Sequence, residues 1–428
     1  MSDADWKYEF HEIPKTQEES FKQLFTGYDE GLVRSEPGGF VMSPTYARNA
    51  EKIYRMKPRS DDVWLVTFPK CGTNWTCELL WLLQNNCDFE SAGKTGLIIR
   101  TPFLEMPYLS SHMQAMKDMF MNVDKVEQLP SPRVIRPHLP FYLLPPQLLD
   151  TAKVVYVARN PKDVIVSYYF HHKLIKLHGY IGTLEEFAQF FMDDEVVYAP
   201  FFPHILDAWS KRHHPNMHFM FFEDMKRDLR GEILKVATFL GKSLSDEQLE
   251  KLAEHLHFDN FQKNESVNNE SGKKTGAMNQ DGHFIRKGKT GDWKNHFSPE
   301  LNKRIDKWIE TNLVGTDLFM FFEDMKRDLR GEILKVANFL SKSLSDEQLG
   351  KLAEHLHFDN FQKNESVNNE SGKKTGAMNQ DGHFIRKGKT GDWKNHFSPE
   401  LNERIDKWIE TNLVGTDLTF VTELEHQD

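Results

Sequence analysis

Short apolar, β-branched runs alternate along this chain with segments whose apolar residues recur every three or four positions. Val63 to Phe68 (VWLVTF) predicts a buried strand that ends in a Pro-Lys-Cys-Gly turn, after which Trp75, Leu79, Leu82 and Leu83 mark one face of a helix. Val154 to Ala158 (VVYVA) repeats the arrangement, and Asn160-Pro161 behind it suits the N-cap and first position of a helix. Phe219 to Phe222 predicts a third strand. Beyond it the pattern predicts a helix over about 228–240, then one opened by a Ser245-x-x-Gln248 capping box with Leu249, Leu252, Ala253 and Leu256 at helical spacing. Gly272 to Gly291 carries five glycines and reads as a long loop, and a last helix starts near Ser298-Pro299 and buries Leu301, Ile305, Trp308 and Ile309. Strands this short and apolar, alternating with helices, predict an α/β fold with a mainly parallel central sheet flanked by helices. Ligands then belong at the carboxyl ends of the strands.

One repeat alters the domain count. Residues 219–318 recur as 319–418 with four differences over 100 positions: Thr238/Asn338, Gly241/Ser341, Glu250/Gly350 and Lys303/Glu403. Solenoid units are shorter and drift apart, so this copy reads as a recent tandem duplication or as one segment entered twice in the gene model. A single domain is expected over 1–318, with 319–428 a near copy plus tail that is incomplete as a domain. Two copies of one core strand cannot fill the same slot, and the first is expected to win. Using Phe319 instead would eject 100 residues as a loop, a closure cost of roughly 4 kcal/mol. The strand-like Thr419 to Leu424 (TFVTEL) nevertheless follows only the second copy, whose apolar faces are expected to dock loosely, swap between chains or aggregate.

At 39 % hydrophobic and 12 % aromatic the chain can bury a sizeable core, which excludes global disorder. With 54 Lys+Arg against 64 Asp+Glu the formal charge is −10, so no nucleic-acid partner is expected. Cys71, Cys77 and Cys87 make no disulfide framework, no apolar leader opens the chain, and no run is long enough to span a membrane. A cytoplasmic protein is expected, with silent Asn-x-Ser sequons at Asn264 and Asn269.

The chemistry sits where strands end. Thr67-Phe68-Pro69-Lys70-Cys71-Gly72-Thr73-Asn74-Trp75 joins a buried strand to a helix. Gly72 permits the tight turn, N–H groups converge at the helix start, Lys70 adds a full charge and Thr73 a hydroxyl. This predicts a phosphate site without Walker spacing, and Cys71 beside it is expected to be acidified and reactive. Gly282 to Thr290 is a decoy, with five residues between its glycines and no strand before it. Arg159 closes the second strand and Ser167 follows on the next helix, which suits a second anion, although a structural Arg–carboxylate pair explains Arg159 as well. Arg286-Lys287-Gly288 could wrap a phosphate or form a solvated charge run. His138, in Arg136-Pro137-His138-Leu139-Pro140, follows a stretch with no helical period, and a lone histidine is more often structural than catalytic. His171-His172 and His213-His214 are adjacent pairs that diverge on a helix. No HExxH or Cys/His cluster occurs, so no metal is expected.

Together these pieces resemble the cytosolic sulfotransferases, which move a sulfuryl group from 3′-phosphoadenosine-5′-phosphosulfate (PAPS) to hydroxyls or amines. Four motifs stand in the family's order: the Lys70 to Trp75 loop, Arg136 to Pro140, Arg159 to Ser167, and Arg286 to Gly288 followed by Thr290 to Lys294. The resemblance runs from about residue 40 to 318, restarts at 319, and has an insect-like flavour. It implies the P-loop-like sulfotransferase fold. It also implies that Lys70, Cys71, Gly72, Thr73, Asn74 and Trp75 hold the 5′-phosphosulfate, with Trp75 and Phe258 on the two faces of adenine and Phe222 near the cofactor. Arg159, Ser167, Arg286, Lys287 and Gly288 match the 3′-phosphate site, and His138 matches the general base, with Lys70, Arg136 and Ser167 beside it in catalysis. The departures are Arg136 for a usual lysine, Pro137 for a small polar residue, Asn74 for threonine and Phe222 for tyrosine. The mammalian dimer motif is replaced by Lys294, Ser298-Pro299 and Lys303, so a monomer or weak dimer is expected.

Two rivals remain open from sequence. A nucleotide kinase lacks support from a Walker lysine or a magnesium-holding acid, and a non-catalytic binding module would follow from lost activity. The expected acceptor is a small lipophilic phenol, steroid or retinoid-like alcohol, in a pocket to which Phe103, Phe141, Tyr168, Tyr169, Phe170, Phe201 and Phe202 are candidates.

Overall fold

The computed structural model describes residues 6–28, 30–111, 119–313 and 344–356, with Thr316, Leu318, Ser398, Leu401 and Arg404 singly. The chain divides into two units, Met1–Val314 and Gly315–Asp428. In the first, β1 (Glu9–Glu12), β2 (Val33–Glu36) and β3 (Val41–Met42) form an antiparallel sheet. β1 and β2 are mostly polar and the apolar stretch at β3, Phe40 to Met42, is too short to stand out, which is why the hydrophobic pattern does not predict the sheet. Backbone bonds of 2.8 Å from Val41 to Ala199 and from Tyr198 to Val41 tie it to the rest of the unit.

The central sheet is β4 (Val63–Thr67), β5 (Val134–Ile135), β6 (Lys153–Ala158) and β7 (Met217–Phe221), in the order β5-β4-β6-β7 and parallel throughout. Every residue of β4 is buried, as expected for a strand covered on both faces. Side chains alternate across the sheet. Val63, Leu65, Val155, Val157 and Met220 face a core shared with helices α1 (Thr73–Gln84), α4 (Leu229–Phe239) and α5 (Asp246–Leu256). On the opposite side, Tyr156 stacks on Phe219 at 5.0 Å and Phe219 meets Trp209 at 4.9 Å.

The predicted α/β architecture is therefore present, with local shifts. The third strand begins at Met217, and Phe222 already opens a short helix, Phe222–Arg227. The next helix starts afresh at Leu229 because Asp228 accepts from the Gly231 N–H at 2.9 Å. Helix α2 (Pro161–Leu174) has Asn160 as N-cap and Pro161 at its first position, and helix α3 (Phe201–Ser210) precedes β7. The glycine-bearing stretch after Asn268 is irregular apart from the turn of helix Ser271–Lys274 and a 3-10 turn at Asp292–Asn295. The last helix of the unit is Pro299–Leu313.

In the second unit the helix α6 (Asp346–Leu356) repeats α5, down to its capping box. Gln348 receives the Ser345 N–H at 2.8 Å, against 3.0 Å for Gln248 and Ser245. The strands expected at Phe319 and at Thr419 to Leu424 lie outside the described residues, as does Arg386. Among the described residues no helix is long and apolar enough to cross a membrane.

Candidate active site

Each central strand delivers a site residue at its carboxyl end. Thr67 closes β4 and leads to Lys70; β5 leads to Arg136 and His138; β6 to Arg159; β7 to Phe222. They surround one cavity of about 380 Å³. Lys70, Gly72, Thr73, Asn74, Trp75, Arg136, His138, Arg159, Ser167, Phe222, Phe258, Arg286, Lys287 and Gly288, all singled out from sequence, line it.

At the loop after β4, Lys70 has φ +71° and Gly72 φ +100°. A Cβ on Gly72 would stand 2.7 Å from the Phe222 ring, so glycine is needed there for space as well as for conformation. Helix α1 begins at Thr73, and its first-turn N–H groups have no intrahelical acceptor. Arg159 braces the loop, donating to the Lys70 carbonyl at 2.9 Å and to that of Lys289 at 3.3 Å, while its buried Nε is left without a protein partner. Its guanidinium also lies 4.3 Å from the Phe222 ring. Trp75 donates its indole N–H to the Leu256 carbonyl at 2.8 Å, which fixes the ring's edge. Gly288 has φ +56°, and a Cβ there would come within 2.1 Å of Phe258. Arg286 and Lys287 pair with Asp292 at 2.7 and 3.0 Å. Burial works against that carboxylate, but Lys287 and Arg286 hold it well below the usual carboxylate range.

Lys70 stands between the two ends of the cavity. Its Nζ is 4.7 Å above the Phe284 ring and 3.5 Å from His171 Nδ1. Withdrawal from water lowers its pKa to about 7, with Arg159 and Arg286 adding to the effect.

His138 faces the other end. Its Nδ1 lies 2.7 Å from the Thr67 carbonyl, which can only accept, so Nδ1 carries the proton and Nε2 holds a lone pair. Among the described residues Nε2 has no protein partner. Burial holds the imidazole neutral, with its pKa down to about 3. The His138 N–H donates to Glu105 at 2.7 Å, and burial pushes that carboxyl up to about 8. Thr67 couples the two ends: its hydroxyl is 2.8 Å from that of Thr73 and 3.0 Å from His138 Nδ1. Arg136 is buried, donates to Asn74 at 2.8 Å, and stacks 5.1 Å from Phe103. The Arg136–Asn74 pair thus bridges the segments that follow β5 and β4.

Several expectations need correction. Cys71 does not line the cavity; it is fully buried behind the loop, and burial pushes its thiol up rather than down. Phe103, Tyr168 and Phe170 do line the cavity, whereas Phe141, Tyr169, Phe201 and Phe202 do not. Phe141 lies by Tyr156, Tyr169 sits among Tyr180 and Phe187, and Phe201 and Phe202 pack on Trp308. An aromatic residue reports burial, and alone it does not tell a core from a cavity wall.

The sequence reading also misses residues. Lys226 lies 5.6 Å from the Trp75 ring and 5.3 Å from Phe258, at the edge of the gap between them. Its signal was position: it lies on the short helix Phe222–Arg227 that follows the third predicted strand. Glu105, Phe284 and His178 gave no local signal, because each acts through contacts far along the chain. His171, left as one of a diverging pair, does point into the cavity while His172 turns into the core.

Residues 60–317 match the sulfotransferase domain family, and residues 315–417 match it again. Bovine sulfotransferase 1E1 is 35 % identical over 283 residues, covering 66 % of this chain and 93 % of that protein. Rat sulfotransferase 1A1 is 38 % identical over 283 residues, 65 % of this chain and 94 % of the relative. Among solved structures, retinol dehydratase in complex with androsterone and the inactive cofactor PAP superposes with a TM-score of 0.70 at 34 % identity, over 73 % of this chain and 98 % of that one. The same protein with retinol and PAP matches equally well. On the strand-end cluster, the sequence match and the shared fold, this chain belongs to the sulfotransferase family.

Proposed function

We propose that the chain transfers the sulfuryl group of PAPS to the hydroxyl of a small lipophilic acceptor, with His138 as general base. The observation that carries this is the joint exposure, in one cavity, of the Lys70 amine and the partnerless Nε2 of a neutral His138. The donor end fits the nucleotide: an unpartnered buried Arg159 Nε, first-turn N–H groups and Lys70 suit its phosphates, and Trp75 and Phe258 flank a slot for the base. When bound, PAPS supplies the transferable sulfuryl group and a phosphate leaving group. His138 Nε2 accepts the acceptor's proton while the Nδ1–H bond to Thr67 keeps the ring oriented. Lys70, recharged beside an anion, steadies the negative charge that develops at the leaving oxygen, with Arg136 and Ser167 completing the polar wall. The reading invokes no metal.

Phe103, Tyr168, Ile175, Met278 and Phe284 add apolar wall to the cavity. The acceptor is therefore a phenol, steroid or retinoid-like alcohol, in line with the androsterone and retinol bound by retinol dehydratase. A panel of phenols, steroids, retinoid alcohols, sugars and peptides incubated with labelled PAPS tests this. Label is expected on the lipophilic alcohols; label only on sugars or peptides, or phosphoryl transfer from ATP instead, would overturn it.

We further assign the activity to 1–318 as the catalytic domain of a cytoplasmic, monomeric or weakly dimeric protein, and read 319–428 as an incomplete duplicate. The support is β7, which runs into the first copy from Met217, paired with β6 from Val154↔Met217 to Ala158↔Phe221. Arg286→Ala is then expected to weaken binding of adenosine 3′,5′-bisphosphate about 10–100-fold, the worth of a charge-assisted contact, and Arg386→Ala to leave it unchanged. The reverse pattern would assign the site to the second copy.

A further inference from the structure

Among the described residues neither the N–H nor the carbonyl of His138 has a backbone partner. The residue lies in Pro137-His138-Leu139-Pro140, beyond the end of β5 at Ile135, and neither proline has an N–H to offer. Backbone bonds hold the residues just before it, from the Arg136 N–H to the Pro102 carbonyl at 3.0 Å, from the Leu104 N–H to the Arg136 carbonyl at 3.3 Å and from the Thr67 N–H to the Pro137 carbonyl at 3.5 Å, but none reaches His138 itself. The main chain of the base must therefore be anchored by side chains.

His204, on α3, supplies the missing anchor without lining the cavity. Its Nε2 is 3.0 Å from the His138 carbonyl, and its Nδ1 is 2.8 Å from the hydroxyl of Tyr156 on β6. A carbonyl only accepts, so Nε2 carries the proton. In a neutral ring Nδ1 must then accept, and the Tyr156 O–H donates to it. Burial favours that neutral ring, holding His204 down to about 4. Both side chains are fully buried, and the Phe68 ring meets the His204 ring edge-on at 5.7 Å. Every proton in the chain has one allowed direction: Tyr156 to His204, His204 to the His138 carbonyl. The His138 N–H to Glu105 and Nδ1–H to Thr67 complete the clamp.

We propose that His204, oriented by Tyr156, is a positioning residue for the base: it fixes the His138 backbone and thereby the direction in which the Nε2 lone pair meets the acceptor. This rests on the reading of His138 as the base. Among the described residues His204 makes no hydrogen bond to the donor end and meets the phosphate loop through the Phe68 ring, so its loss should act on turnover far more than on donor affinity.

The test compares His204→Leu, His204→Gln and Tyr156→Phe. His204→Leu is expected to lower kcat about 10–100-fold, the usual range for a supporting contact, with the Kd for adenosine 3′,5′-bisphosphate within about twofold of wild type. His204→Gln, whose amide can still donate to the carbonyl, should recover most of the rate, and Tyr156→Phe should cost about threefold through loss of the fixed ring orientation. In a His138→Ala background, His204→Gln and Tyr156→Phe should add no further loss, because no base remains to be aimed. Should His204→Leu fail to fold, the glutamine variant, Tyr156→Phe and the double mutants still decide. Full kcat in Tyr156→Phe and His204→Leu, or losses that add to that of His138→Ala, would overturn the inference while leaving the base in place. Wild-type kcat in His138→Ala alone would instead remove the base reading, and the inference with it.

Discussion

The two ends of the cavity are built on different principles. The donor end is polar and local: Lys70 to Trp75, Arg159 and Phe222 each sit within a few residues of a strand end, and Arg286 to Gly288 form one short run. Its charges are held by one another and by backbone, as in the Arg159 bond to the Lys70 carbonyl and the Asp292 pairs. The acceptor end is apolar and assembled from distant segments, from Phe103 through Ile175 to Met278 and Phe284. Met278, for example, reaches it through an isolated antiparallel bridge to Ile175. A chain built this way can change its acceptor by altering scattered apolar side chains while its nucleotide cradle stays intact. Among the described residues Thr67, with its contacts to Thr73 and His138, Lys70, and the Arg136–Asn74 bond join the two ends.

Breaking the acceptor end at its polar point should give the largest effect. His138→Ala is expected to lower kcat by roughly 10²–10⁴-fold, the range for a general base, with binding of adenosine 3′,5′-bisphosphate nearly unchanged. Turnover above about a tenth of wild type would mean that the two ends are not divided as described. Next in size is Lys70→Met, which should act on both sides of the comparison. It removes a charge from the cradle and from the leaving oxygen, so affinity for the bisphosphate should fall about 10–100-fold and kcat should fall as well. A loss confined to one of the two quantities would place Lys70 at one end only.

This contrast also explains what the chain disclosed in advance. Fold class and the polar end of the cavity were legible because both are written locally. A β-branched run names a strand, a glycine and a lysine behind it name a phosphate turn, and an Arg after the next strand falls at the same sheet edge by topology. Phe222 and Lys226 follow the same rule one strand later, and Lys226 was missed only because a lone lysine after a strand has ordinary explanations. The acceptor end was not legible. Phe201 and Phe103 look alike as letters, yet one packs on Trp308 and the other lines the cavity. Cys71 failed for a related reason: its neighbours in sequence promised a positive field, but the side chain faces the interior, where desolvation dominates. Orientation at a turn is a property of packing, and spacing alone does not carry it. The antiparallel sheet β1 to β3 was equally silent, since its exposed polar strand β1 is specified by pairing with β2.

The smallest expected effect is also the most direct probe of the donor end. In the free protein Lys70 has its pKa lowered to about 7 by burial and by Arg159 and Arg286. Below that pH the amine is charged before the nucleotide arrives. Above it the site is increasingly neutral, and binding an anionic phosphate must draw a proton from solution, since the phosphate restores the ammonium. Affinity for adenosine 3′,5′-bisphosphate should thus be near its maximum below about pH 6.5 and fall as pH rises, by a factor approaching tenfold per pH unit between about 7.5 and 9. Calorimetry in buffers of different ionisation enthalpy should register uptake of up to one proton per nucleotide over that range. Lys70→Arg, permanently charged, should bind with no such uptake and a flat profile over the same pH range, even if its geometry weakens the complex. A pH dependence that persists unchanged in Lys70→Arg would assign the titration to another group at the donor end, with Glu223, raised to about 7 by burial beside Arg159, the next candidate.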